Sequence, residues 1–167
     1  NAYSGSGDVT ADVVYVNYGT YEDFERLREL GIDPKGKILI ARYGKNYRGY
    51  KVKYAQEAGA AGLLMYLDPA DYGFQKGPTW PQGGWANASC IQRGSVLVLP
   101  YKGDPLTPFI EATAEAKRLD PDHVGMPWIP VQPIGYAAAT RILGRMKGRV
   151  VARSDRRRGG EWGGRVG

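Results

Sequence analysis

The sequence predicts an α/β layered domain. Short apolar runs at residues 13–16, 38–41 and 63–66 are bounded by turn residues and read as strands. Between them, apolar residues recur at helical spacing after Thr20 and again from Tyr50 to Ala58. Strands alternating with helices place the helices against a sheet. At 167 residues the chain suffices for one domain that buries about two thirds of its unfolded surface, and no second core is required.

Each element has its own warrant. Residues 1–10 are small and polar and read as a flexible lead-in, after which residues 12–16 form a strand. Thr20 is placed to cap a first helix, with Asp23 three residues on, Phe24, Leu27 and Leu30 on one face, and Gly31 as the stop. The apolar centre of residues 37–42 suits a strand covered on both faces. Val52, Ala55 and Ala58 then lie at helical spacing and are small enough to let a helix approach the sheet, and residues 63–66 make the next strand. Residues 68–94 are rich in Gly, Pro and Trp; a loop of that length is functional or disordered. Trp80 and Trp85 argue against disorder, because they offer apolar surface for burial. Residues 95–99 read as a strand, and residues 108–119 have some helical spacing confined by Pro105, Pro108 and Pro121. Residues 128–131 read as a strand that Pro130 pushes to an edge, and residues 136–146 as a closing helix with Ala139, Ile142, Leu143 and Met146 inward.

Composition excludes several classes. Apolar residues at 43% and charged residues at 24% are ordinary for a globular protein, and no run approaches the length of a membrane span. The net charge of +6 sits mostly in residues 149–167, a Gly/Arg-rich tail expected to be disordered, so it does not argue for nucleic acid. Cys90 alone allows neither an internal disulfide nor a cysteine-based zinc site. The N-terminus has no basic-then-apolar signal, which leaves either a cytosolic chain or a piece of something larger. Asn87-Ala88-Ser89 is a glycosylation sequon, relevant only in a eukaryotic secretory setting.

Two motifs fail on inspection. Residues 31–38 nearly match a phosphate-binding loop, but Ile38 replaces the metal-binding hydroxyl, Pro34 removes an amide from the cradle, and the segment leads into a strand. His123, the only histidine, lies in an Asp/Pro turn, and no ligand set for a catalytic zinc accompanies it. The chain therefore reads as non-catalytic and without a cofactor of its own. What remains is a run of cations between the second and third strands: Arg42, Lys45, Arg48, Lys51 and Lys53. Cations at the mouth of an αβ layer suggest a site for an anionic group.

The string Ala-Arg-Tyr-Gly-Lys at 41–45, Arg48-Gly49, Lys51-Val52, Asp-Pro-Ala-Asp-Tyr at 68–72, Gln92-Arg93-Gly94, Gly-Asp-Pro-Leu-Thr-Pro at 103–108 and the run 129–136 follow one another in order. Together they resemble the protease-associated (PA, or apical) domain of zinc peptidases of the glutamate carboxypeptidase II and transferrin receptor group. The likeness spans residues 8–147, with the domain itself at 11–148. The tail departs from it, apart from a faint similarity at 161–164 to the return into a peptidase domain. The resemblance implies a mixed sheet with flanking helices of the swivelling β/β/α type, roofing the cleft of a peptidase domain in the same parent chain. It implies that Arg48 binds the terminal carboxylate of a peptide substrate, with Lys45 lining the pocket. Ser95 stands where the family's strict glutamate carboxypeptidase has an asparagine that binds the glutamate side chain. Thr107 and, through its carbonyl, Ile110 are implied in a calcium site at the domain seam. Two zinc ions, a homodimeric parent and an extracellular, periplasmic or outward-facing membrane-anchored location are further expectations of the resemblance. Two alternatives stay open, a receptor-like interaction module and a peptide-binding domain acting alone.

Overall fold

A computed structural model of the chain describes residues 1–151 and 164–166. Four parallel strands run in sequence order across one sheet: β1 (Val13–Tyr15), β2 (Ile38–Arg42), β3 (Gly62–Tyr66) and β4 (Val131–Ile134). Val14 stands beside Leu39 and Leu39 beside Leu63, so the most apolar positions meet in register. Antiparallel pairing joins β5 (Arg149–Val151) to β6 (Gly164–Val166). These pairs occupy both ends of the tail expected to be disordered; residues 152–163 of that tail lie outside the described residues.

Helix α1 (Tyr21–Glu29) begins where its cap residues dictate. The Thr20 hydroxyl accepts the Asp23 amide at 3.3 Å and the Asp23 carboxylate accepts the Thr20 amide at 3.1 Å, a reciprocal box. Such a cap contributes about 1 kcal/mol. Phe24 and Leu27 turn into the core. Helix α2 (Arg48–Glu57) buries Val52 and Ala55, and its Tyr54 ring meets Tyr21 and Phe24 at 6.1 and 6.2 Å, which sets α1 and α2 side by side. A single turn, α3 (Pro69–Tyr72), follows β3, and α4 (Tyr136–Leu143) follows β4 and buries Ala139.

The structure departs from expectation in five places. Residues 95–99 form no strand; Val96 is buried there and donates its amide to Ala2. Residues 1–5, read from composition as a flexible lead-in, are bonded to the body: Gly5 donates to Ile129 at 3.1 Å, and the Ser4 hydroxyl accepts from Val131 at 2.8 Å. Residues 108–119 hold no helix. The last sheet strand starts at Val131, three residues later than expected, and keeps Pro133 within it at the sheet edge, where a missing amide costs nothing. Trp80 and Trp85 do not bury: they are 69% and 39% exposed, and their loop closes through backbone bonds from Trp80 to Trp85 and from Ala86 to Tyr72.

Candidate functional site

The connection from β2 to α2 stands at the carboxyl end of a parallel sheet, the end at which open α/β sheets present ligands. Its five cations are neighbours in sequence and part company in space. Arg42 turns inward and is buried. Its Nε and Nη2 both donate to the Asn17 side-chain oxygen, at 3.0 and 2.8 Å, Asp71 and Asp68 lie 3.7 and 3.9 Å from Nη1, and the guanidinium covers the Tyr18 ring at 3.9 Å. Asn17 in turn donates to buried Asp23 at 2.8 Å, so the α1 cap and the end of β2 share one polar network. Lys51 is fully buried. Its Nζ donates to the Tyr18 carbonyl, to the Gly44 carbonyl at 2.8 Å and to the Asn46 side chain at 2.6 Å. Burial pushes this ammonium down to about 7, with Arg42 adding to the fall and Asp23 opposing it. Lys53 pairs with Glu57 one turn along at 3.2 Å.

The common anionic site expected of all five therefore does not form. Burial and pairing withdraw three of them, and Lys45 and Arg48 remain. Lys45 is exposed, holds φ +66, and carries its ammonium 5.4 Å from the Tyr18 ring centre, on the ring that Arg42 also covers. Arg48 opens α2 and is half-buried against residues 92–95. Its Nη1 donates to the Ser95 carbonyl at 3.2 Å, and its guanidinium lies 5.4 Å from the Tyr47 ring centre. Its Nε–H is buried, and among the described residues no acceptor meets it. Beside it, burial pushes the Tyr43 phenol up while the Arg48 charge opposes the rise; that hydroxyl donates to the Gln92 carbonyl at 2.9 Å.

The structure thus brings Arg48 and Ser95 together, through the serine's backbone. The Ser95 carbonyl also accepts from the Tyr47 hydroxyl at 2.7 Å, and its own hydroxyl accepts from the Leu97 amide at 3.1 Å. Thr107 and Ile110 stand on another loop. Thr107 is buried, donates its hydroxyl to Asp104 at 2.7 Å and gives the same carboxylate its amide at 2.9 Å; these bonds hold the Asp104 carboxyl below its usual range. Ile110 is exposed and donates its amide to the Thr107 carbonyl at 3.4 Å. Among the described residues no group of three or more His, Cys, Asp or Glu is gathered as a metal would require. His123 is exposed, and its Nδ1 lies 3.0 Å from an Asp120 carboxylate oxygen.

Residues 9–99, which include the β2–α2 connection and the segment that seats Arg48, match the family model of the PA domain. The chain belongs to the PA domain family. This PA domain is 40% identical over 158 residues to a glutamate carboxypeptidase 2 homolog of Caenorhabditis briggsae, a match covering 90% of this chain and 20% of that protein. It is 39% identical to aminopeptidase NAALADL1 of Rattus norvegicus, covering 88% and 20%, and 38% identical to transferrin receptor protein 2 of Homo sapiens, covering 89% and 18%. The PA domain is thus related to glutamate carboxypeptidase-like peptidases and spans about a fifth of the length of the curated relatives it matches. Sequence reading missed Asn17, placed Lys51 in the cation cluster without its burial, and named Gly94 only as part of a string; all three shape the connection. A lysine between Tyr50 and Val52 gives no sign that it points inward, whereas the glycine of the Gln92-Arg93-Gly94 string was visible without its reason.

Proposed function

We propose that this PA domain is a non-catalytic part of a zinc-dependent carboxypeptidase or aminopeptidase, where it roofs the active-site cleft and Arg48 binds the terminal carboxylate of a peptide. The observation that carries the reading is the seating of Arg48 at the carboxyl end of the sheet, where Nη1 is anchored on the Ser95 carbonyl at 3.2 Å and the guanidinium is flanked by the Tyr47 ring. A planar guanidinium held at one corner can still engage a carboxylate. Lys45, exposed on the same connection, would add positive charge at the pocket wall.

In this reading a peptidase domain of the same parent chain holds two zinc ions and the catalytic carboxylates, the parent is a homodimer, and it works outside the cytoplasm. The support for a further domain is that the relatives named as peptidases are some five times longer than this chain. The Thr107 loop fits a calcium ion only in part. Two oxygens fall well short of the six to eight that calcium takes, so most ligands would come from the neighbouring domain. Phe109 and Ile110, 86% and 59% exposed, offer that domain an apolar face beside Thr107.

The receptor-like reading has its own support in the 38% identity to transferrin receptor protein 2. Peptide hydrolysis by the full-length parent separates the two. Turnover that a chelator abolishes and zinc restores is the outcome expected of the peptidase; no hydrolysis across a broad peptide panel would leave the receptor-like module.

A further inference from the structure

We infer that Gly94 is a positioning residue for Arg48, kept without a side chain so that the guanidinium can lie against the backbone of the Gln92-Arg93-Gly94 string. The inference rests on the reading that Arg48 binds a carboxylate. A Cβ at Gly94 would stand 2.6 Å from Arg48 Cζ, 2.6 Å from Nη1 and 2.8 Å from Nη2, so it would overlap the guanidinium plane. The usual reason for glycine is missing, because Gly94 does not hold a left-handed φ. Space for Arg48 is the remaining reason. The three closest atoms all belong to the free end of a flexible side chain, so an added methyl displaces Arg48 and leaves the backbone where it is.

Gly49, the residue after Arg48, answers from the other side. A Cβ there would lie 2.6 Å from Val98 Cγ2 and 2.8 Å from the Val96 carbonyl oxygen, which is backbone and cannot step aside cheaply. Gly94 thus makes room for the Arg48 side chain, while Gly49 lets the start of α2 approach residues 96–98. The guanidinium sits on Gly94, is bonded to Ser95 and is flanked by Tyr47. Holding a long side chain in this way reduces the rotamer entropy that binding must otherwise cost, the usual gain of a preorganised contact.

Three variants test the inference in the full-length parent. Gly94→Ala should lower kcat/KM for peptides with free C-termini by about tenfold to a hundredfold, the scale of an ångström-level misplacement, and leave C-terminally amidated peptides unchanged. Its melting temperature should stay within about 2 °C of wild type, whereas Gly49→Ala should lose more than about 4 °C. In the 167-residue chain, Gly94→Ala should shift the Arg48 Nε–H resonance, assigned by its loss in Arg48→Ala. If Arg48→Ala impairs turnover and Gly94→Ala does not, the inference falls and the carboxylate reading stands. If neither impairs turnover, the carboxylate reading falls, and an unmoved Arg48 resonance overturns the inference as well. A melting loss in Gly94→Ala equal to that of Gly49→Ala would make the glycine a structural requirement instead.

Discussion

Lys51 donates to the Asn46 side chain at 2.6 Å from a position with no solvent exposure, while Lys45, on the same connection, stays at the surface. With its bonds to the Tyr18 and Gly44 carbonyls, Lys51 fastens the loop before α2 from beneath. The helix that presents Arg48 therefore starts from a loop fixed by a buried lysine whose charge depends on pH.

That charge carries a pH signature. Burial pushes Lys51 down to about 7, against an ordinary lysine value of about 10.4. Between these values the unfolded chain holds a proton that the folded chain has released, so stability rises with pH across the window; below about 7 both states are protonated and the cost is constant. Above about 10 the tyrosines reverse the trend, since burial raises Tyr15 to about 12 and the folded chain then keeps protons the unfolded chain loses. Urea unfolding at pH 7, 8 and 9 should show a positive slope of up to about 1.4 kcal/mol per pH unit that Lys51→Met lacks. Equal slopes in the two proteins would refute the assignment.

Asn17→Ala should destabilise the fold by at least about 2 kcal/mol, because it strips the shared acceptor from buried Arg42 and a donor from buried Asp23. Chemical denaturation measures this directly. A loss below about 0.5 kcal/mol, the range of an ordinary surface substitution, would mean that the network is incidental.

Calcium should raise the melting temperature of the full-length parent, and Thr107→Val should reduce that rise. In the 167-residue chain the effect should be small, because Thr107 and Ile110 supply only a minority of the ligands calcium needs. A parent whose melting temperature ignores calcium removes the seam site.

Selectivity for glutamate should be relaxed. The Ser95 hydroxyl is short and accepts from the Leu97 amide, so it reaches less far than an asparagine side chain would. Among peptides ending in Glu, Gln, Leu and Lys, the parent should prefer Glu by less than about a hundredfold, or about 2.7 kcal/mol in the transition state. A larger preference contradicts the role given to position 95.

Local signals carried much of this fold in the sequence. Thr20 and Asp23 are three residues apart, and no distant contact is needed to make them a cap. The apolar centre of β2 likewise marks a central strand, and the sheet places it between β1 and β3. Where partners lie far along the chain, the pattern misleads. Residues 95–99 have the apolar content of a strand, yet Val96 bonds to Ala2 without joining a sheet. Arg42 and Lys51 read as surface cations because their acceptors, Asn17 and the Tyr18 carbonyl, come from the loop after β1. The tryptophans of the long loop suggested burial, but closure there is achieved by backbone bonds. Gly94 was legible as part of a motif; its contact with Arg48 was not, because a glycine in ordinary backbone geometry gives no local sign of what it makes room for.

The central claim is that Arg48 receives a substrate carboxylate. The most direct measurement is kcat/KM of the full-length parent and its Arg48→Ala variant on matched peptides with free and amidated C-termini. Loss of a charged partner for a desolvated carboxylate predicts a fall equivalent to about 2 to 5 kcal/mol on the free acids and little change on the amides. Equal kcat/KM for the two proteins on the free acids, with the variant folded, would contradict the account and leave Arg48 as a half-buried residue at the start of a helix.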